Sequence, residues 1–327
     1  MEKRLHLLNL LSDNCFHSGE HLGKRLGVSR TAVWKHIQAL QSLGIECVSV
    51  SGKGYRLSEP VELLDKSAIK AQLSKEGLQL MSGLELHAQI SSTNRHLMGN
   101  IRDGMQSGHA CLAESQTDGR GRRGRQWLSP FARNIYLSLY WQFDASPAAL
   151  SGLGLAIGVG IVRALKQLGI GDANLKWPND VLWQGKKLAG ILLEMSAESG
   201  GPYHVVIGAG LNVNMAATNN SIDQPWIDLN SIAQKNISRN EVAAVVLDQL
   251  LTTVRDFQLL GLAPFMNEWR AADAYAQKLV VIHQAGNTIS GTASGIDSDG
   301  AILIETAKGL RRFHSGDVSL RPSSEAL

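Results

Sequence analysis

Gln116–Trp127 reads QTDGRGRRGRQW, with four arginines and three glycines in the seven residues Gly119–Arg125. Glycine lets a backbone bend freely and come close to a ligand. Arginine supplies forked, permanently charged donors for phosphate and carboxylate. The stretch predicts a loop that closes over a polyanionic small molecule. Gly119, Gly121 and Gly124 also match G-x-G-x-x-G, and Asp144 follows at the distance of about twenty residues expected of a dinucleotide-binding turn. The context excludes that fold. Its glycines must open a helix, but Ser129-Pro130 interrupts and a strand begins near Asn134, leaving no room for the helix of a βαβ unit. An arginine loop for RNA is the alternative at this point.

Working outward, strands alternate with helices on both sides of the loop. Leu84–His87 and His109–Ser115 read as strands, and so does Asn134–Phe143. Between the first two, Ser91-Ser92-Thr93-Asn94 caps a helix and gathers hydroxyls, an amide and helix N-terminal N–H groups into one donor set. Gly152–Leu168 is a glycine-laced apolar helix that packs tightly on the sheet. Lys176-Trp177-Pro178-Asn179-Asp180 follows, with Pro178 holding Trp177 extended and Asn179-Asp180 able to turn. Val181–Trp183 and Leu188–Met195 form an antiparallel hairpin across Gln184–Lys186. Lys187 sits where the second strand begins; an inward lysine is costly unless it meets an anion, and the bland reading is an exposed turn lysine. Val205–Asn212 is a buried strand, and Met215–Trp226 is a polar loop with an isolated tryptophan, a candidate lid. Toward the C-terminus, Lys278–Ile282, Thr288–Gly295, Gly300–Glu305 and Leu310–Phe313 are short strands between Gly/Asp/Asn turns.

The first sixty residues have a different pattern. Leu5, Leu7, Leu8 and Leu11 mark an amphipathic opening helix. Ser18 caps a second helix with Leu22 and Leu26 as its stripe; Gly27 stops it, and Val28 is a buried turn residue. Ser29 caps a third helix over Arg30 to about Leu43, stopped by Gly44, with Val33, Ile37 and Leu40 inside. Its outer face presents Arg30, Thr31, Trp34, Lys35 and Gln38. Two short helices across a Gly turn are a helix-turn-helix, whose second helix enters the major groove. A hairpin over Ile45–Leu57 with Lys53 at its tip is a wing that reaches phosphate. Glu59-Pro60 ends the unit, and Leu63–Leu73 reads as a linker helix.

Charge agrees with this division. Residues 1–60 hold eight Lys/Arg and five Asp/Glu, which is the whole net charge of +3, while the rest carries 24 of each sign. The excess suits a basic end segment meeting a polyanion. Three scattered cysteines without a C-x-x-C pair argue against a disulfide framework or a thiolate zinc site. The longest apolar run, Leu153–Val162, falls short of the ~20 residues a membrane span needs. With no secretory leader, the cytoplasm is the expected compartment and no membrane partner is expected.

Ser92-Thr93-Asn94, the Gly119–Gly124 run, Lys176–Asp180, Lys187-Leu-Ala-Gly190 and Ala209-Gly-Leu-Asn212 occur in an order that resembles the bifunctional biotin–protein ligases that also repress the biotin operon. The resemblance covers nearly the whole chain. It implies an α+β multidomain protein: a winged helix-turn-helix over 1–62, a catalytic α/β domain related to class II aminoacyl-tRNA synthetases over 63–272, and a small SH3-like β-barrel over 273–327. It implies two-step chemistry, in which biotin and ATP give biotinyl-5′-AMP and the biotinyl group then passes to a lysine of the biotin carboxyl carrier protein of acetyl-CoA carboxylase. It implies biotin contacts at Ser92, Thr93, Asn94, Gln116, Arg120, Gly121, Arg122 and Lys187. Arg125, Trp127, Asn179, Asn212, Trp226 and Arg321 would serve the nucleotide or lid. Lys187, Arg122 and Asp180 would be catalytic, and Arg30, Thr31, Trp34, Lys35, Gln38 and Lys53 would face operator DNA. Mg2+ would accompany ATP, with its protein ligands unassigned. The adenylate would act as corepressor by driving homodimerisation, with Phe143–Gly152 a candidate part of the dimer surface. A sensor repressor without chemistry, or a ligase for another carboxylate such as lipoate, would look similar.

Overall fold

Ser18 and Ser29 both act as the caps their positions predict: their hydroxyls accept from the backbone N–H groups of His21 and Ala32. Each such cap stabilises a helix by ~1 kcal/mol. They open α2 (Gly19–Leu26) and α3 (Arg30–Gln41), preceded by α1 (Glu2–Leu11). The computed structural model describes residues 2–101, 104–197, 201–215, 222, 224–284, 287–314 and 318–322. Helix α3 stops at Gln41 rather than near Leu43, because Ser42–Gly44 folds as a turn with Gly44 at φ 82°. Val28 is half-buried, not buried. The wing is β1 (Cys47–Val50) paired antiparallel with β2 (Gly54–Leu57). A Cβ on Gly54 would stand 2.0 Å from the His17 carbonyl oxygen, so the wing closes onto the helices only with glycine there. Leu7, Leu8, Leu22, Val33, Ile37 and Leu40 form this unit's core, and Phe131 and Ala132 join it from beyond the arginine loop.

The linker does not form one helix over Leu63–Leu73. Within that range the helix is the shorter α4 (Lys66–Ala71), opened by the Asp65 cap, and a further helix, α5 (Lys75–Leu80), follows beyond it, where Ser74 accepts from Gly77 N–H. The elements that follow are β3 (Gly83–His87), α6 (Thr93–Asn100), β4 (His109–Ala113) and β5 (Ile135–Phe143). Then come α7 (Leu153–Gln167), β6 (Ala173–Lys176), β7 (Asp180–Trp183), β8 (Lys186–Ala197) and β9 (Tyr203–Leu211). The unit closes with α8 (Leu229–Ala233), α9 (Arg239–Leu260) and α10 (Met266–Ala271). The strands make one seven-stranded sheet in the order β3-β4-β5-β9-β8-β7-β6, parallel at β3–β4 and antiparallel elsewhere.

Helices α7 and α9 cover one face of this sheet. A Cβ on Gly160 would meet Thr253 Oγ1 of α9 at 2.6 Å, and one on Gly158 would meet Leu175 of the sheet at 3.0 Å, which accounts for the glycine-laced helix. Ala148–Gln167, a longer apolar stretch than Leu153–Val162, is by length and composition enough to cross a membrane; 67% of its most apolar window is buried in this core. The opposite face carries α6 and leaves the rest of the sheet open.

A buried network fixes the linker to the central unit. Glu114 Oε1 accepts from Leu64 N–H at 2.6 Å, and its Oε2 lies 2.8 Å from Arg239 Nη1. Arg239 also donates to the carbonyls of Glu62 and Asn134. The C-terminal unit is a five-stranded antiparallel sheet of β10 (Leu279–Gln284), β11 (Asn287–Ile296), β12 (Ile302–Thr306), β13 (Gly309–Phe313) and β14 (Val318–Pro322), ordered β13-β12-β11-β10-β14. Strand β14 is additional to the four read from the sequence. Ser151 Oγ donates to the Asp299 carbonyl at 2.6 Å, so the end of Phe143–Gly152 rests on this unit.

Candidate active site

Strand register puts a row of small and polar residues on the open face. Tyr136, Gly210, Gly190 and Asp180 align across β5, β9, β8 and β7, and Ser138 and Gly208 align one pair further along. The glycines are required by what lies on them. A Cβ on Gly210 would stand 2.5 Å from the Trp127 ring, and one on Gly208 would stand 2.4 Å from Asn94 Oδ1. Trp127 and Asn94 therefore sit directly on the sheet and wall a cavity of about 900 Å³.

Ser92, Thr93, Asn94, Gln116, Arg120, Gly121, Arg122, Arg125, Trp127, Asn179, Asp180, Lys187, Asn212 and Trp226 all line this one cavity. Arg321 pairs through its backbone with Val281, and its side chain lies outside the described residues. Of the candidate lid, residues 216–221 and 223 also lie outside them, but its far end is fixed. Lys187 N–H donates to the Pro225 carbonyl at 2.9 Å, Ile227 N–H donates back to Lys187 at 3.0 Å, and Asn212 Nδ2 donates to the Ile227 carbonyl at 3.1 Å.

At one end of the cavity the polar set of α6 is tightly organised. Ser92 caps the helix, and Thr93 N–H donates to Gln116 Oε1 at 2.9 Å. Asn94 donates to Glu194 Oε2 at 2.9 Å and accepts from Ser138 Oγ at 2.5 Å. Neither Glu194 nor Ser138 was foreseen. Each is a polar residue between two apolar neighbours in its strand, and that break in an apolar run was the available signal.

The arginine loop folds back over the cavity. Gly121 N–H donates to the Arg125 carbonyl at 2.7 Å and Trp127 N–H to that of Gly119 at 2.8 Å, with Arg123 at φ 59° in the tip. Arg120 Nη2 lies 3.0 Å from Glu194 Oε1, and Arg122 Nη1 donates to Asn179 Oδ1 at 3.2 Å. Arg125 is exposed at the rim. Lys187 turns inward and meets an anion, as its cost demands: Nζ lies 2.8 Å from Asp180 Oδ1 and 5.5 Å from the Trp127 ring centroid. Six cations, Arg120, Arg122, Arg123, Arg125, Lys176 and Lys187, line the cavity against one carboxylate, Asp180, among the described residues. Burial, and then the Asp180 and Asp273 carboxylates, push the Tyr275 hydroxyl up, so it stays a neutral phenol beside them. The C-terminal unit closes one side through Leu320, and Trp177 Nε1 donates to the Gly300 carbonyl at 3.1 Å. The Trp177–Pro178 peptide is cis.

The second predicted surface lies on the N-terminal unit. Arg30, Thr31, Lys35, Gln38 and Lys53 are exposed, and Trp34 is 50% exposed on the same face. Lys53 and Arg56 lean over the Phe16 ring at 6.0 and 5.1 Å, steadying the wing.

Known proteins resemble the chain at every level. Residues 3–56 match the HTH domain, 86–212 the Biotin/lipoate A/B protein ligase family, and 280–321 the Biotin protein ligase C terminal domain. The bifunctional ligase/repressor BirA of Salmonella typhimurium is 41% identical over 97% of both chains. That of Bacillus subtilis is 33% identical over 97% of this chain and 98% of its own. The biotin protein ligase from Aquifex aeolicus in complex with biotin and ATP superposes with a TM-score of 0.66 at 29% identity, covering 74% of this chain and all of that one. The ordered motifs, the cation-lined cavity and the separate helix-turn-helix surface thus occur in a chain that matches these proteins over at least 97% of its length, and the chain belongs to the bifunctional biotin ligase/repressor family.

Proposed function

We propose that the chain activates biotin with ATP, transfers it to a carrier-protein lysine, and represses biotin synthesis when loaded with the adenylate. The observation that carries this reading is the convergence of the Ser92–Asn94 set, the arginine loop and the Lys187–Asp180 pair on one cavity. In the first step a biotin carboxylate oxygen bonds to the α-phosphorus of ATP and pyrophosphate leaves. Two anions must meet, so the site needs fixed positive charge and orientation more than acid–base groups. The six cations supply it. Ser92, Thr93, Asn94 and Gln116 hold biotin, and Arg120, Gly121 and Arg122 close over it and the adenylate. Lys187 leaves Asp180 for the developing charge on carboxylate and phosphate. Trp127, Arg125, Asn179, Asn212, Trp226 and Arg321 serve the nucleotide. In the second step the carrier amine bonds to the anhydride carbonyl carbon and AMP leaves. Asp180, freed from Lys187, accepts the amine proton. Magnesium, with no protein ligand assigned, would supply counter-charge to the ATP phosphates. In this structure Asp180 and Glu194 face Lys187 and Arg120.

The carrier would be the biotin carboxyl carrier protein of acetyl-CoA carboxylase, and the DNA the biotin operator, which together put the chain in the cytoplasm. Arg30, Thr31, Trp34, Lys35 and Gln38 would reach base edges and backbone in the major groove, with Lys53 on phosphate. A homodimer formed on the adenylate would set two wings on two half-sites. The proposed boundaries are 1–62, 63–272 and 273–327, and the anchoring of Glu62 and Leu64 by Arg239 and Glu114 bears on the first of them. The mixed sheet is read as the synthetase-like class and the C-terminal sheet as an SH3-like barrel. The test is biotin-dependent exchange of labelled pyrophosphate into ATP, with lipoate in parallel. Exchange with biotin alone is expected. Exchange with neither would leave a sensor, and exchange with lipoate alone would change the substrate.

A further inference from the structure

The open face of the sheet carries a second set of donors, away from the cavity, that the ligase reaction does not use. Parallel pairing of β3 and β4 aligns Gly83 with His109, Glu85 with Cys111 and His87 with Ala113. Alternation along each strand then puts Glu85, His87, His109 and Cys111 on the face beneath α6. His96 comes down from α6 itself. The Glu85 carboxylate gathers three imidazoles. Its Oε2 lies 3.0 Å from His87 Nε2 and 2.7 Å from His96 Nε2, and its Oε1 lies 2.8 Å from His109 Nε2. One donor atom each from His87, His96 and Cys111 falls within 4.8 Å of the others.

These separations approach those of a metal centre. In a tetrahedral zinc site with bonds of about 2.0–2.3 Å, neighbouring donors stand about 3.3–3.8 Å apart. Oε2 stands about 0.3 and 0.6 Å inside that spacing from the two imidazoles, at 3.0 and 2.7 Å. The thiol lies within 4.8 Å of one donor atom of each imidazole, and the site requires it and the Glu85 carboxylate to close on the ion.

We propose that Glu85, His87, His96 and Cys111 form a zinc(II) site that pins α6 to strands β3 and β4. His109 holds Oε1 and leaves Oε2 for the ion, the kind of outer hydrogen bond that orients metal ligands. The imidazole, thiolate and carboxylate set suits zinc, whereas calcium and magnesium prefer oxygen alone. On binding, His87 and His96 present Nε2 lone pairs with their protons on Nδ1, and Cys111 releases its thiol proton to solvent. The carboxylate and thiolate balance the two positive charges, so a half-buried site ends neutral. The side chains of His87, His96 and His109 are 24–32% exposed at the edge of the sheet, which gives the ion a way in, and Cys111 closes the bottom. Helix α6 begins with the biotin set at Ser92–Asn94, so the ion would brace the wall of the cavity without touching a ligand.

The experiment uses the untagged full-length chain, stripped with chelator and titrated with zinc against a chromophoric competitor. One equivalent should bind. Zinc at about a hundredfold over its Kd should raise Tm by roughly 5 °C. Both effects should vanish in His87→Gln/His96→Gln, whose retained pyrophosphate exchange would show that it folds. Cobalt substitution should give thiolate charge-transfer absorption in the parent and none in Cys111→Ser. A parent that binds no zinc, or a double variant that binds as the parent does, overturns the site. Cobalt–thiolate absorption surviving in Cys111→Ser overturns the ligand set.

Discussion

The recognition face and the arginine loop both consist of basic side chains, but they use them in opposite ways. Arg30, Lys35 and Lys53 stand in solvent and face no carboxylate among the described residues. Arg120, Arg122 and Lys187 are already engaged, by Glu194, Asn179 and Asp180. Open cations suit a long polyanion, whose condensed counter-ions are released on binding. Engaged cations suit a small anion that must displace an internal partner, and they are held in place before it arrives. The family's two activities are therefore separated by how charge is held as well as by where it lies.

Salt should break this comparison first if it is wrong. With three such cations in each subunit of the proposed dimer, operator affinity should fall roughly 10³-fold between 50 and 200 mM salt. Biotin-dependent exchange should change by less than about twofold, since its Lys187–Asp180 pair is largely shielded from solvent. Similar salt slopes for the two would remove the distinction. Next in size, Lys187→Ala should slow exchange by about 10²–10³-fold, the usual loss when one donor to a developing oxyanion is removed. A drop of less than about tenfold in initial rate would reduce Lys187 to a partner of Asp180. Smallest, Arg122→Gly should speed adenylate escape by about 10–100-fold, the worth of one charge-assisted hydrogen bond. Release of the preloaded intermediate in a stopped-flow chase measures it, and an unchanged rate would mean that the loop does not retain the adenylate.

Local chemistry made the N-terminal unit legible. Caps at Ser18 and Ser29, the stop at Gly27 and the leucine stripe lie within a few residues of what they control. The same local rule applies at Asp65 and Ser74, whose caps open the shorter α4 and a second helix beyond the predicted one. The cavity was legible only in part. Its motifs were recognisable, but their meeting depends on strand order and register, which no local pattern encodes. Glu194 and Ser138 become meaningful only when Asn94 is laid on Gly208. The histidine cluster shows why isolated spacings mislead. Glu85-x-His87 and His109-x-Cys111 are ordinary strand alternations until β3 and β4 are paired in register.

Phe131 and Ala132 lie a few residues beyond Trp127 yet belong to the core of the helix-turn-helix unit, and Arg133 pairs with Glu59. The two functions therefore cannot be separated at a clean cut. An enzyme shortened to begin near residue 63 would keep every cavity residue. It would still expose an apolar step on the segment that follows the arginine loop, and leave a guanidinium without its carboxylate. In engineering terms the DNA-binding unit is a doorframe for the loop, and a minimal ligase made from this chain would need Phe131 and Ala132 redesigned as surface.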